Sequence, residues 1–162
     1  MSYRAPAGTG IGHVHLKVSD IDRALAFYQA VLGFDLVMRL GDSAAFISAG
    51  GYHHHIGLNT WHSRRQGPPP PHHTGLYHFA IRYPSRRDLA LAVRRVVEAG
   101  VALQGVADHG VSESIYLSDL DGNGIELTRD RPEAEWPRTA DGQLAMHMAD
   151  PLDLDALLKE AV

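Results

Sequence analysis

Gly12-His13-Val14-His15-Leu16-Lys17-Val18-Ser19 lies over Tyr77-His78-Phe79-Ala80-Ile81-Arg82-Tyr83-Pro84, and Phe46-Ile47-Ser48 lies over Tyr116-Leu117-Ser118. Repetition on this scale marks two copies of one supersecondary unit. In the first copy Ile11, His13, His15 and Lys17 alternate with Val14, Leu16 and Val18, the period of a half-buried strand. Ser19-Asp20 then supplies a helix N-cap, and Ile21, Ala24, Leu25, Phe27, Tyr28, Val31 and Leu32 recur at helical spacing until Gly33. Phe34–Met38, Ala44–Ser48 and His53–Asn59 read as three further strands. The second copy follows suit. Leu76–Tyr83 alternates, Pro84-Ser85 opens a helix whose apolar face is Leu89, Ala92, Val93, Val96 and Val97, and Val101–Gly105, Glu113–Ser118 and Ile125–Arg129 are strands.

The pattern predicts an α+β fold of two βαβββ modules forming a curved, barrel-like mixed sheet around a cavity. A lead at 1–9 precedes the first module at 10–62, and the second occupies 76–130. Between them residues 63–75 carry four consecutive prolines, which favour extended polyproline and end any strand before them. The tail, 131–162, holds a short helix signalled by Asp150-Pro151 and Leu152, Leu154, Leu157 and Leu158.

Ser118-Asp119-Leu120-Asp121-Gly122-Asn123-Gly124-Ile125-Glu126-Leu127-Thr128 puts one carboxylate inside an apolar strand just after a tight turn. Alternation sends Glu126 to the face opposite Ile125 and Leu127, and on a cavity wall such a group needs a cation. The 70-residue offset between Phe46 and Tyr116 sets Ile56 opposite Glu126, while His13 matches His78. A pseudo-twofold between the modules would therefore gather His13, His78 and Glu126, with an apolar fourth position. Two imidazoles and one carboxylate leave coordination positions open, an arrangement suited to Fe(II) or Mn(II), whereas a structural zinc site closes its shell with four protein ligands. For a lone strand histidine the ordinary reading is a backbone-bonded core group. Two repeat-equivalent histidines converging with a carboxylate favour the metal.

Alternation also places His54, within Tyr52-His53-His54-His55, on the face of Ile56, where an imidazole can act as acid or base near neutrality. A polar edge strand is the plain alternative. His15 shares the face of His13, but its repeat partner is Ala80, so a place in the cavity wall suits it better. His109 in a polar loop and Tyr116 on a strand read as ordinary surface and structural residues when taken alone.

Composition narrows the partners. The 162 residues are 44% hydrophobic, enough for one compact unit, and carry a formal charge of −4, which offers no footprint for nucleic acid or an anionic membrane. Without cysteine there is neither a disulfide framework nor a thiolate metal site, so any metal falls to His, Asp or Glu. No transmembrane run or signal-peptide core is evident, making the cytoplasm the expected location.

Ile11–Asp20, the helix end Ala26–Phe34, Tyr77–Ala80 and Asp119–Glu126 resemble the vicinal oxygen chelate superfamily, which includes glyoxalase I, the fosfomycin and bleomycin resistance proteins and the extradiol dioxygenases. Within it, Gly51–Trp61, Asp108–Glu113 and Asp119–Glu126 are most similar to bacterial catechol 2,3-dioxygenases. That resemblance implies metal ligands at His13, His78 and Glu126, an acid–base His54, and substrate-bonding His109 and Tyr116. It further implies Fe(II), with Mn(II) or another divalent metal as substitute, a small aromatic diol and O2 as substrates, and a homo-oligomer. Other metalloenzymes of the scaffold, or a non-enzymatic small-molecule binder, are the competing readings. Catechol dioxygenases of this kind commonly carry two module pairs, and this chain has one.

Overall fold

A computed structural model describes residues 2–148 and 150–162. Among them the first module comprises β1 (Val14–Lys17), α1 (Ile21–Leu25), β2 (Asp35–Leu40), β3 (Ala44–Ser48) and β4 (Ile56–Asn59). The second comprises β5 (Phe79–Arg82), α2 (Arg86–Glu98), β6 (Gly105–Asp108), β7 (Ser112–Ser118) and β8 (Gly124–Asp130), and α3 (Leu154–Lys159) lies in the tail. The order βαβββ thus occurs twice, as the repeat requires. The strands form two four-stranded mixed sheets, ordered β1-β4-β3-β2 and β5-β8-β7-β6. Each is a curved half rather than part of one continuous barrel.

Local chemistry accounts for the elements. Asp20 and Ser85 cap α1 and α2 by accepting from the backbone N–H groups of Arg23 and Asp88. After Leu25 the first helix widens into a π-helical stretch over Ala26–Val31, closed by a hydrogen bond from Leu32 N to Phe27 O. The widening turns the neighbours Phe27 and Tyr28 both inward, so that Tyr28 is wholly buried. One core is shared by the modules, with Leu16, Val18, Ile47, Ile56 and Leu58 from the first and Leu89, Val93, Ile115, Ile125 and Leu127 from the second. Burying these side chains contributes roughly 1.5–3 kcal/mol each.

Polar ties cross the same junction. The Tyr28 hydroxyl donates to Asp119 Oδ2 at 3.0 Å, Ser19 N donates to Asp121 Oδ1 at 3.2 Å, and Asn123 Nδ2 donates to Lys17 O at 3.3 Å. Arg95 caps the end of the first helix by donating to Val31 O at 2.9 Å and to Ala30 O. The helix α3 packs back on α2, where Arg94 donates to Leu158 O at 3.1 Å. Buried Glu113 joins β7 to its surroundings through ion pairs with Arg86 at 3.0 Å and Arg129 at 2.7 Å.

Three sequence expectations shift. Val101, just beyond α2, is held to the helix end by its N–H bonding Val96 O at 3.1 Å, and β6 starts at Gly105 instead of Val101. His53–His55 remain in the turn after Gly50-Gly51, and β4 begins only at Ile56. The register corrects the fourth slot as well. Phe46 faces Gly57, whereas Tyr116 faces Glu126, because the β3–β4 connection is one residue longer than its counterpart. Glu126 is therefore equivalent to Gly57, and Ile56, 1% exposed, matches core residue Ile125. The chemical consequence survives, since glycine offers no side-chain donor.

Candidate metal centre and active site

Cross-strand partners share a face, so each sheet presents one defined row of side chains. In the second module the row runs Ala80, Glu126, Tyr116, Gly105. In the first it runs His15, Gly57, Phe46, Met38.

The second row is built around the turn that precedes β8. Asp119 Oδ1 accepts from Asp121 N at 2.9 Å and from Asn123 N at 2.8 Å, while its Oδ2 takes the Tyr28 hydroxyl and Asn123 Nδ2. The turn then delivers Gly124 against β5. A Cβ at Gly124 would stand 2.0 Å from Tyr77 O, so only glycine lets the two strands approach this closely. Their closeness sets His78 Nε2 at 3.0 Å from Glu126 Oε2. Two donors at right angles on one ion, with bonds of about 2.1 Å, lie about 3.0 Å apart. The pair fits a divalent cation in spacing and in chemistry.

Beside it stands a relay. Tyr116 Oη lies 3.4 Å from Glu126 Oε1 and 2.7 Å from His109 Nε2, and His109 Nδ1 lies 2.8 Å from His147 O. A carbonyl only accepts, so Nδ1 carries the proton and Nε2 is the acceptor for the Tyr116 hydroxyl. Burial first, and then the Glu126 carboxylate, push the Tyr116 phenol above its ordinary value. His78, His109, Tyr116 and Glu126 all line a cavity of about 840 Å³, which Met146 and Met148 also border.

The first module gathers the remaining candidates. The His13 and His54 rings lie tilted at 46° with centroids 4.5 Å apart, Phe46 lies 5.2 Å from the His54 ring, and His53 Nδ1 is 2.9 Å from His54 Nδ1. His54 therefore does lie on the His13 face, but as a loop residue and not through strand alternation. Burial, then the neighbouring imidazoles of His13 and His53, hold its pKa below the usual histidine value. His15 packs its ring over Gly57, where a Cβ would come within 3.0 Å, and sits 5.5 Å from Trp61.

Within one chain direct contacts join His13 with His54, and His78 with Glu126, Tyr116 and His109. The end of β1 at Lys17 touches Asn123, next to the Glu126 turn. His13 and His78 line a second cavity, of about 780 Å³, whose lining does not include Glu126. Among the described residues no cluster of three or more His, Cys, Asp or Glu side chains is placed to hold a metal ion. Sequence reasoning missed Met146, His147 and Met148 altogether, because the tail shows no periodicity that would tie it to the second sheet.

Two like βαβββ modules, each presenting one open inner face, define the architecture of a known superfamily. The chain belongs to the Glyoxalase/Bleomycin resistance protein/Dioxygenase superfamily, whose family model matches residues 10–127. It is 40% identical over 158 residues to the catechol-2,3-dioxygenase of Bacillus subtilis (strain 168), an alignment covering 94% of this chain and 52% of that protein. It is 30% identical over 126 residues to the iron-dependent extradiol dioxygenase of Rhodococcus jostii (strain RHA1), covering 73% of this chain and 42% of that one. The chain thus spans about half the length of these relatives. Among solved structures, the glyoxylase/bleomycin resistance protein/dioxygenase domain from Frankia sp. EAN1pec superposes with a TM-score of 0.64 at 23% identity, covering 77% of this chain and 94% of that one. No helix among the described residues is long and apolar enough to cross a membrane.

Proposed function

We propose that this chain is an Fe(II)-dependent extradiol dioxygenase that cleaves a catechol-type aromatic diol with O2, and that a second copy completes its metal site. The observation that carries the reading is the His78–Glu126 pair, 3.0 Å apart on the cavity wall beside the Tyr116–His109 relay. The similarity to dioxygenases supports the same chemistry. His13 would be the third ligand, Gly57 leaving the repeat-equivalent slot without a donor. A ferrous ion held there would bring diol and O2 together and carry electron density between them.

What supports the two-copy arrangement is the distribution of donors and apolar surface. His13 and His54 lie on the first module's inner face, where His13, His15, Met38 and Trp61 are exposed. The other donors lie on the second module's inner face. Apposing the first face of one copy with the second face of another would unite the triad and cover both by a twofold operation. His54 Nε2, its Nδ1 being engaged with His53, would accept a proton from the diol and return it during ring opening. Tyr116 Oη and His109 Nε2 would orient the substrate oxygens and hold a proton between them.

The test is direct. Protein loaded anaerobically with Fe(II), then given catechol and air, is expected to form a yellow ring-fission product and to bind one iron per chain. Colourless mixtures across several catechols would overturn the dioxygenase reading in favour of redox-silent metal chemistry. Absence of stoichiometric metal would point to a binder instead.

A further inference from the structure

The tail is tied into the second sheet at a position that places two methionines at the mouth of the cavity. Ala145 N bonds Pro137 O at 2.8 Å and Leu144 bridges Arg138, folding the segment into a hairpin. Its second limb then runs along the free edge of β6. His147 N donates to His109 O at 3.0 Å, and Asp108 N donates to Asp150 O at 2.9 Å. A side-chain contact from His147 Nδ1 to Asp150 Oδ2 at 2.5 Å braces the limb from within. The contact between His147 O and His109 Nδ1 locks the same limb to the relay.

Met146 and Met148 are two residues apart in this limb, and both border the cavity that holds His78, Tyr116 and Glu126. They are 55% and 85% exposed, and so open to a ligand. Flexible thioethers adapt to varied apolar shapes and make favourable contacts with aromatic rings. From these positions we infer that Met146 and Met148 are specificity-determining residues, forming the wall that receives an apolar ring substituent of the substrate. The inference rests on the aromatic-diol reading above for its ligand, and on the pinned limb for its geometry. An unsubstituted catechol reaches the metal donors without filling this wall. A ring bearing an alkyl or aryl group fills it.

The experiment compares the Met146→Ala, Met148→Ala double variant with the unmodified protein on catechol and on a 4-alkylcatechol. Expected is a rise of about fivefold or more in KM for the alkylcatechol, with KM and kcat for catechol held within about twofold. A parallel change on both substrates, or none, overturns the wall. Methyl-13C methionine NMR gives a readout free of turnover: on adding 4-alkylcatechol without O2, the Met146 and Met148 methyl signals should shift. Signals that move on protein dilution and ignore the ligand would assign the methionines to a contact between copies and defeat the proposal. Failure of catechol turnover with the methyl shifts intact would instead strike only the ring-cleavage reading.

Discussion

Mixing two inactive variants tests the shared site most sharply. His13→Ala removes the imidazole on the first module's inner face, and Glu126→Ala removes the carboxylate beside His78 on the second. Neither variant alone retains a complete triad in any arrangement. A metal–ligand bond spans about 2.1 Å, and among the described residues no three such donors of one chain are grouped closely enough to hold one ion. In a two-copy arrangement, a mixed dimer unites His13 from the Glu126→Ala chain with His78 and Glu126 from the His13→Ala chain. The other site in that dimer lacks both. Random exchange makes about half the dimers mixed, and half of their sites intact, so about a quarter of unmodified activity and bound iron should return. The assay follows ring-fission product and iron after co-refolding, with a mass tag on one variant to count mixed dimers. No recovery in a sample that demonstrably contains them would refute the shared site. So would full iron retention by His13→Ala alone.

Other perturbations probe the scaffold. Gly124→Ala forces a Cβ to within 2.0 Å of Tyr77 O, so β5 must move off β8; iron binding should fall by at least tenfold in a metal titration, with far-UV dichroism largely preserved. Tyr28→Phe leaves the buried Asp119 carboxylate short of one donor and should lower stability by about 1.5–3 kcal/mol in urea unfolding, with the denaturant slope unchanged. Burial opposes ionisation of Asp108, but the Gly110 N–H and Arg131 outweigh it and hold its carboxyl below the ordinary 3.8. A depressed folded value means that this stabilisation is present above the ordinary value and is lost as pH falls through the folded one. Asp108→Asn should therefore flatten the acid limb of melting temperature against pH below about pH 4, leaving the neutral-pH slope alone.

The fold was open to reading in one dimension because each module is built from local periodicities. Val14, Leu16 and Val18 against His13, His15 and Lys17 announce a strand whatever it later pairs with, and the repeat announces two of everything. The convergence of His78 and Glu126 was also readable, since the repeat put both on inward-facing strand positions; the parallel β5–β8 pairing that brings them to 3.0 Å was not. A one-residue difference between the two hairpins was not readable from Phe46 and Tyr116. It moved the empty slot from Ile56 to Gly57, because alternation inverts with every residue added. The strand expected from Val101 failed for a related reason: helix-end hydrogen bonds kept that residue, and periodicity does not report them.

By itself, then, the sequence determined the two modules, their repeat, the donor residue types and the faces on which they stand. Only the tertiary structure decided which faces meet. Module pairing is set by nonlocal contacts, the shared apolar core and the Tyr28–Asp119 and Asn123–Lys17 hydrogen bonds, and among the described residues these leave no three metal-type donors of one chain grouped together. The tail's place was decided the same way. Its hydrogen bonds to Asp108 and His109 join residues far apart in the chain, and no local pattern encodes a contact whose energy exists only after the edge of β6 has formed.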